Sequence, residues 1–255
     1  MRLNNKVAII TGGDTGIGKA ISLELACEGA SVVIDYHGDA GPANALVERI
    51  NNLGYKAVAI SADVTRPPDV ESLVEATAKA FGGIDILVNN AGIEEQHPFL
   101  EMPFEVYAKV IGVNLTGNWL CSQAAARQMV KQNRGGRIIN ISSVHEDVAM
   151  PTNAPYCASK GALRMLMRTI AIELAQYHIT VNNIAPGAVE TPMDAELERD
   201  PKELARLLAE IPMRRMGRPQ EIAGLVAYLA SDAAAYITGA TYVIDGGMSK
   251  WSGSL

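Results

Sequence analysis

The sequence predicts an α/β fold, a doubly wound parallel sheet of seven strands with helices on both faces. Three observations predict it. Short runs rich in β-branched residues, such as Val7-Ala8-Ile9-Ile10 and Val32-Val33-Ile34, are apolar throughout, as strands buried on both faces are, and they alternate with longer helical stretches. The connections between them are short and the rhythm is strand, helix, strand. A glycine-rich turn follows the first strand and opens a helix, the place where such sheets take ligands.

Lys6 to Thr11 reads as the first strand, and Lys19 to Glu28 as the helix after the turn Gly12-Gly13-Asp14-Thr15-Gly16-Ile17-Gly18. In such a turn, glycines let backbone approach a pyrophosphate, and the helix N-terminus adds free N–H groups and a partial positive charge. The spacing Gly-x-x-x-Gly-x-Gly fits a dinucleotide site and also fits a plain tight turn. Ser31 to Tyr36 is the second strand, Pro42 to Leu53 a helix, and Lys56 to Ser61 the third strand, ending at Asp63-Val64. Pro67-Pro68 opens a helix to Phe81, since proline suits a first turn. Ile84 to Asn89 is the fourth strand, closed by Asn90-Ala91-Gly92, small residues at an edge where ligands cross or where the chain simply turns.

Phe104 to Asn133 reads as one long helix, kinked near Asn114 because Gly112, Asn114 and Gly117 all weaken helix there. Arg137 to Ile141 is the fifth strand and delivers Ser142 and Ser143 to the same edge. A helix from Pro155 to Tyr177, a strand from Ile179 to Ala185 closed by Pro186-Gly187, and a polar helical segment from Asp194 to Glu210 follow. Pro219 to Ala230 is the last helix and Thr241 to Asp245 the seventh strand.

At 255 residues the length allows one domain or two, but no linker, repeat or low-complexity tract divides the chain. The expectation is a single domain, 1–255, with residues 188–215 as a substrate loop or lid. A composition of 48% hydrophobic and 20% charged residues is globular, and a formal charge of -6 argues against nucleic acid or an anionic membrane as partner. No signal-type or spanning apolar run is present, so a cytoplasmic protein is expected. Cys27, Cys121 and Cys157 lack metal-type spacing and read as reduced packing thiols, and no metal site is expected.

Tyr156 and Lys160 lie four apart in the helix beginning at Pro155, which stacks them on one face. A phenol of pKa about 10 becomes a base near neutrality only if about 4 kcal/mol favours its ionised form. A fixed positive charge about 4 Å away at an effective dielectric near 20 supplies that much. Taken alone, the pair also fits an ordinary half-exposed helix face.

With these residues in order, the chain resembles the short-chain dehydrogenase/reductase family along essentially its whole length. The resemblance implies a Rossmann-type fold and a catalytic tetrad of Asn114, Ser143, Tyr156 and Lys160. It implies a cofactor turn through Gly12, Asp14, Thr15, Gly16, Ile17 and Gly18, and adenine contact at Asp63 and Val64. Asn90, Ala91 and Gly92 match the strand-four motif, Pro186, Gly187 and Val189 the loop after strand six, and Thr191 the nicotinamide-amide contact. Within the family, Ser142-Ser143-Val144-His145-Glu146, Ala91-Gly92-Ile93-Glu94 and Glu190 to Glu196 are similar to bacterial glucose 1-dehydrogenases. Glu94, Ser143, His145 and Asp194 would then touch the sugar, with Glu146 as a further polar group beside them.

The resemblance implies hydride transfer between a sugar or secondary alcohol and nicotinamide. Tyr156 takes the hydroxyl proton, Ser143 holds the reacting oxygen, Lys160 holds charge and ribose, and Asn114 positions a water. Reduction of a 3-oxoacyl thioester or another ketone is the alternative enzyme reading, and a nucleotide-binding protein without turnover is the non-enzymatic one. NAD is expected over NADP, with NADP use left open. Asp35-Tyr36 stands where the adenosine ribose lies, and a carboxylate there repels a 2′-phosphate. The resemblance also implies a homotetramer packed through the Phe104 and Pro155 helices and the C-terminal segment.

Overall fold

The computed structural model describes residues 1–192 and 200–250. Its strands are β1 (Val7–Ile10), β2 (Ser31–Tyr36), β3 (Lys56–Ser61), β4 (Ile86–Asn89), β5 (Gly136–Ile141), β6 (Ile179–Pro186) and β7 (Thr241–Ile244). All pair in parallel in the order β3-β2-β1-β4-β5-β6-β7. The order reverses between β1 and β4, and that switch point opens a crevice at the carboxyl ends of the strands.

Helices α1 (Gly16–Cys27), α2 (Gly41–Asn52) and α8 (Pro219–Ala230) cover one face, and α3 (Pro67–Phe81), α5 (Asn118–Gln132) and α6 (Ala154–Leu174) the other. Ile10, Ile34, Ile86 and Ile139 point into the first layer; Ile9, Val33, Leu87 and Ile138 point into the second. Adjacent residues on one strand thus serve opposite cores, which is why these runs carry no polar alternation. A short α4 (Phe104–Ile111) precedes α5, and α7 (Pro201–Glu210) starts on Asp200, whose side chain accepts the N–H groups of Lys202 and Glu203.

Three elements differ from expectation in an instructive way. α1 begins at Gly16 rather than Lys19, because Gly16 and Gly18, poor helix formers, hide the first turn from a propensity reading. The predicted kinked helix is two helices joined by a π-helical turn, Gly112–Gly117, with Asn114 inside it. The Pro155 helix ends at Leu174 and passes through a tighter turn, Ala175–Tyr177, before β6. Of the segment read as helix from Asp194, the part from Pro201 onward is helical, while Asp194 itself lies outside the described residues.

Asparagines from three neighbouring strands lie in register, at the end of β4, near the end of β5 and in the middle of β6: Asn89 opposite Asn140, and Asn140 opposite Asn183. Their amides form a buried row, Asn89 donating to Asn140 at 2.9 Å and Asn140 to Asn183 at 2.9 Å. Asn89 also donates to Ser122 of α5 at 2.9 Å, so the row ties the sheet to the helix layer beneath the site.

Candidate active site

Residues predicted from separate motifs meet at the carboxyl edge of the sheet. The Thr11 hydroxyl at the end of β1 accepts the backbone N–H groups of Asn90 and Ala91, each at 3.0 Å, while Asn90 Nδ2 donates to the carbonyls of Thr11 (3.0 Å) and Gly12 (2.8 Å). The glycine turn and the strand-four motif are therefore one structure. Gly18 sits against its centre. A Cβ there would overlap the Gly12 carbonyl oxygen and stand 2.6 Å from Asn90 Nδ2. Gly12 and Gly16 take φ of +56° and +49°, where a side chain strains the backbone. Across the crevice, the space a Gly16 side chain would fill lies 3.6 Å from Thr191 Cβ and Pro192 Cδ, so the loop after β6 rests on the turn. This glycine cradle at the N-terminus of α1 fits a pyrophosphate, the group a nicotinamide dinucleotide would place there.

Further along the crevice, the Asp63 carboxylate accepts the Thr65 hydroxyl (2.7 Å) and N–H (2.9 Å), and the hydroxyl bond foremost holds its pKa below the ordinary carboxylate range. Val64 is buried and packs on Gly117, where a Cβ would come within 2.8 Å of Val64 Cγ2. Gly187 is equally confined, its missing Cβ 2.8 Å from Asp245 Cβ, and Val189 bridges to Gly217.

Asp35 departs from its expected role. It is 2% exposed, and Oδ2 accepts the Gly12 N–H at 3.4 Å, so the carboxyl props the turn from beneath instead of facing the crevice. The physical reason is strand parity: Asp35 shares the face that Val33 turns to the second layer, while the half-buried Tyr36 shares the face of Ile34 and is the next residue along the strand. Burial raises the Asp35 carboxyl to about 7, against the bonds from Gly12 and Ala62, with Asp14 and Asp63 adding repulsion.

Of the four residues expected as a tetrad, Lys160 adjoins Tyr156, while Ser143 and Asn114 connect to it through His145 and Ser159. Lys160 is 5% exposed; its Nζ donates to the Ile141 carbonyl at 2.9 Å and lies 5.4 Å from the centroid of the Tyr156 ring. Ser143, in extended backbone at the end of β5, accepts the His145 N–H at 3.2 Å, and the His145 ring meets the Tyr156 ring edge-on with centroids 6.2 Å apart. The Asn114 side chain is committed to structure: Oδ1 accepts the Ile93 N–H at 2.8 Å, and Nδ2 donates to the Ile93 carbonyl at 2.9 Å and to Ser159 Oγ at 3.3 Å. Ser159 donates in turn to the Tyr156 carbonyl at 2.7 Å, so Asn114 and Ser159 together lock the loop after β4 to the helix bearing Tyr156 and Lys160.

On the substrate side, Glu94 Oε1 accepts Asn153 Nδ2 at 2.6 Å and Gln96 Nε2 at 2.9 Å. His145 Nδ1 lies 2.9 Å from the Val148 carbonyl, which only a donor can satisfy; in the neutral ring Nε2 is then an acceptor. Glu146 belongs elsewhere. The sequence groups it with the polar substrate residues, but it is buried, its Oε2 accepting Ser142 Oγ at 2.6 Å and Asn183 Nδ2 at 3.2 Å. Asn153 and Ser159 were not picked out by sequence reasoning. Ser159 had a signal, a hydroxyl between Tyr156 and Lys160 in the same turn of helix, and the strand asparagines had another, since asparagine is disfavoured in strands.

A cavity of about 600 Å³ opens at the opposite edge of the sheet, beside Lys6, Arg134 and Arg137. None of the motif residues lines it, and the crevice at the carboxyl edge is where the glycine cradle and the Tyr156–Lys160 pair converge, so the site belongs there. Among the described residues there is no group of three or more His, Cys, Asp or Glu able to hold a metal ion, and no helix long and apolar enough to cross a membrane.

Residues 12–249 match the family model described as enoyl-(acyl carrier protein) reductase. The chain belongs to the short-chain dehydrogenase/reductase family. It is 39% identical over 255 residues to glucose 1-dehydrogenase 2 of Bacillus subtilis (99% of this chain, 98% of the relative). It is 43% identical over 251 residues to L-rhamnose 1-dehydrogenase (NAD(P)(+)) of Azotobacter vinelandii (97% and 98%). A short-chain type dehydrogenase/reductase from Mycobacterium marinum superposes with a TM-score of 0.93 at 39% identity, covering 98% of this chain and 97% of the other. This short-chain dehydrogenase/reductase is thus an NAD(P)-dependent oxidoreductase acting on CH–OH donors. The two relatives carry different sugars in their names, so membership establishes the reaction and leaves the alcohol open.

Proposed function

We propose that this enzyme oxidises the anomeric hydroxyl of an aldose with NAD, with glucose to gluconolactone as the leading reaction. The observation that carries the reading is the polar wall beside the Tyr156–Lys160 pair: the His145 ring meets the Tyr156 ring edge-on, and the Glu94 carboxylate is close enough to Lys160 to push its ammonium up. A site that hydrogen-bonds several hydroxyls rejects an alcohol lacking them, because its own buried polar groups then go unpaired. Two relatives named for sugars support the same class.

In this reading Tyr156, as phenolate, takes the proton from the sugar hydroxyl, and Lys160 supplies the positive charge that makes a phenolate tenable. Ser143 donates to the reacting oxygen without competing for the proton. The nicotinamide cofactor accepts the hydride when bound. The cradle at Gly12, Gly16 and Gly18 would hold its pyrophosphate, Asp63 and Val64 its adenine, Tyr36 the ribose side, Lys160 the second ribose, and Thr191 its amide. Asn90, Ala91 and Gly92 form the floor. Gly92 lies beside the tetrad: a Cβ there would stand in ordinary contact with Asn114 Oδ1 (3.5 Å) and Lys160 Nζ (3.9 Å). Residues 188–215, anchored at Val189 and Thr191, would serve as the loop over the substrate.

The preference for NAD rests on Asp14 and Asp63, both close enough to Asp35 to raise its carboxyl and so to set up a local negative field. A 2′-phosphate brought beside them is repelled. We also read the protein as a homotetramer, on the exposed apolar residues of α4, α5 and α6 described below. A panel of aldoses, acetoin and 3-oxoacyl thioesters, followed at 340 nm with NAD and NADP, tests the reading. Turnover of aldoses at kcat/KM at least tenfold above the other classes is expected, and a thioester preference would replace it with the ketone-reductase alternative.

A further inference from the structure

Glu146 occupies the short turn Val144–Glu146 between β5 and α6 and is 9% exposed. Its Oε2 is fixed by Ser142 Oγ and by Asn183, the last member of the asparagine row across β4, β5 and β6. Its Oε1 is buried with no hydrogen-bond partner. A buried carboxylate with one oxygen left unbonded is costly unless a positive charge stands within reach. Lys160 is that charge. It is buried too, and its Nζ bonds the carbonyl of Ile141, the residue directly before Ser142. The ammonium and the carboxylate are thus hung from consecutive residues at the end of β5.

We propose that Glu146 is the internal counter-charge of Lys160, a positioning residue that keeps the lysine protonated while Tyr156 works as the base. The inference deepens the dehydrogenase reading and rests on Tyr156 and Lys160 as its proton-transfer pair. The other groups facing Lys160 are few. Tyr156 lies on its own helix, neutral Asn114 lies in the π-helical turn, and Glu94 comes from the loop after β4. Glu94 is already engaged by Asn153 and Gln96, and Asp147 is paired with Arg164. Burial draws the Lys160 ammonium down to about 8, and Glu146 first, then Glu94, push it back up. Without Glu146 the lysine would shed its proton at a lower pH, and the field that sustains a phenolate at Tyr156 would go with it.

The test follows Lys160 directly, in the full chain without cofactor. Lysine carrying 13C at Cε is incorporated, the Lys160 resonance is assigned by its loss in Lys160→Arg, and its titration is followed by NMR. In Glu146→Gln the midpoint should fall by about one pH unit or more, as loss of one nearby charge predicts. Glu146→Asp, which keeps the charge, should stay near wild type. The alkaline limb of the kcat/KM profile should move down with the midpoint in Glu146→Gln and be restored in Glu146→Asp. If the glutamine variant does not fold, Glu146→Met supplies an uncharged side chain of similar length. A Lys160 midpoint unchanged in a folded, uncharged variant overturns the proposal, whatever the substrate proves to be. A shifted midpoint in a chain that oxidises no sugar upholds the counter-charge and removes only the sugar reading.

Discussion

At the residue scale, burial draws the Lys160 ammonium down to about 8 and raises the Asp35 carboxyl to about 7. Tyr156 depends on Lys160 being charged, so Tyr156→Phe should leave NAD affinity within about twofold and lower kcat by at least about a hundredfold, the scale of a positioned base. Cofactor titration beside steady-state kinetics checks both halves, and retained turnover removes Tyr156 from the mechanism. Asp35 offers a measurement on folding itself. Unfolded, its carboxyl ionises near 3.8; folded, it keeps its proton to about 7. Between those values the native state binds the extra proton, so stability falls as pH rises through that window and levels off above it. The full effect is on the order of 4 kcal/mol. Asp35→Asn abolishes it, so the melting temperature of wild type relative to the variant should fall by several degrees from pH 4.5 to pH 8. A constant difference would mean that Asp35 stays ionised in its buried seat.

The π-helical turn Gly112–Gly117 matters most at the scale of elements. An insertion of this kind turns Asn114 toward the loop after β4, where one amide satisfies both the N–H and the carbonyl of Ile93. Asn114→Ala strips two partly buried backbone groups of their partners, at about 1–3 kcal/mol each where water does not reach them. The variant should therefore melt several degrees lower and lose turnover together, and Asn114→Asp should recover only the bond to the Ile93 N–H. A variant with full stability and no activity would assign Asn114 to chemistry alone. The glycine cradle makes the complementary point. Gly18→Ala places a methyl against the Gly12 carbonyl, so NAD affinity should drop at least about tenfold in a calorimetric titration.

For the molecule as a whole, α4, α5 and α6 all carry large apolar side chains exposed to water. Phe104 is 74% exposed, Met165 60% and Ile172 80%, and Tyr107 and Trp119 are exposed as well. Where such side chains form a contiguous patch, they mark an interaction site. The expected outcome of light scattering at micromolar concentration is a homotetramer, and Phe104→Glu with Ile172→Glu should shift it toward smaller species. A wild-type monomer would sink the assembly reading. Cofactor choice is also a property of the whole edge of the sheet, since Asp14 and Asp63 come from two different connections. The ratio of kcat/KM for NAD over NADP should exceed about ten, and a preference for NADP would mean that this negative field does not reach the ribose.

Much of this protein was written in the chain order. β-branched runs bounded by glycine specify doubly buried strands, and short connections leave parallel crossovers as the arrangement, because local sterics and hydrophobic pattern act over a few residues at a time. Tyr156 and Lys160 were legible for the same reason, being one helical turn apart. Contacts between distant segments were not. That Asp35 faces inward depends on which side of β2 meets the glycine turn. That Glu146 faces Lys160 depends on a row of asparagines brought into register from three strands. That Asn114 grips Ile93 depends on a helix insertion which propensity records only as weakness. Each is a question of which side chain loses its water to which partner, and only the packed sheet and its helices answer it.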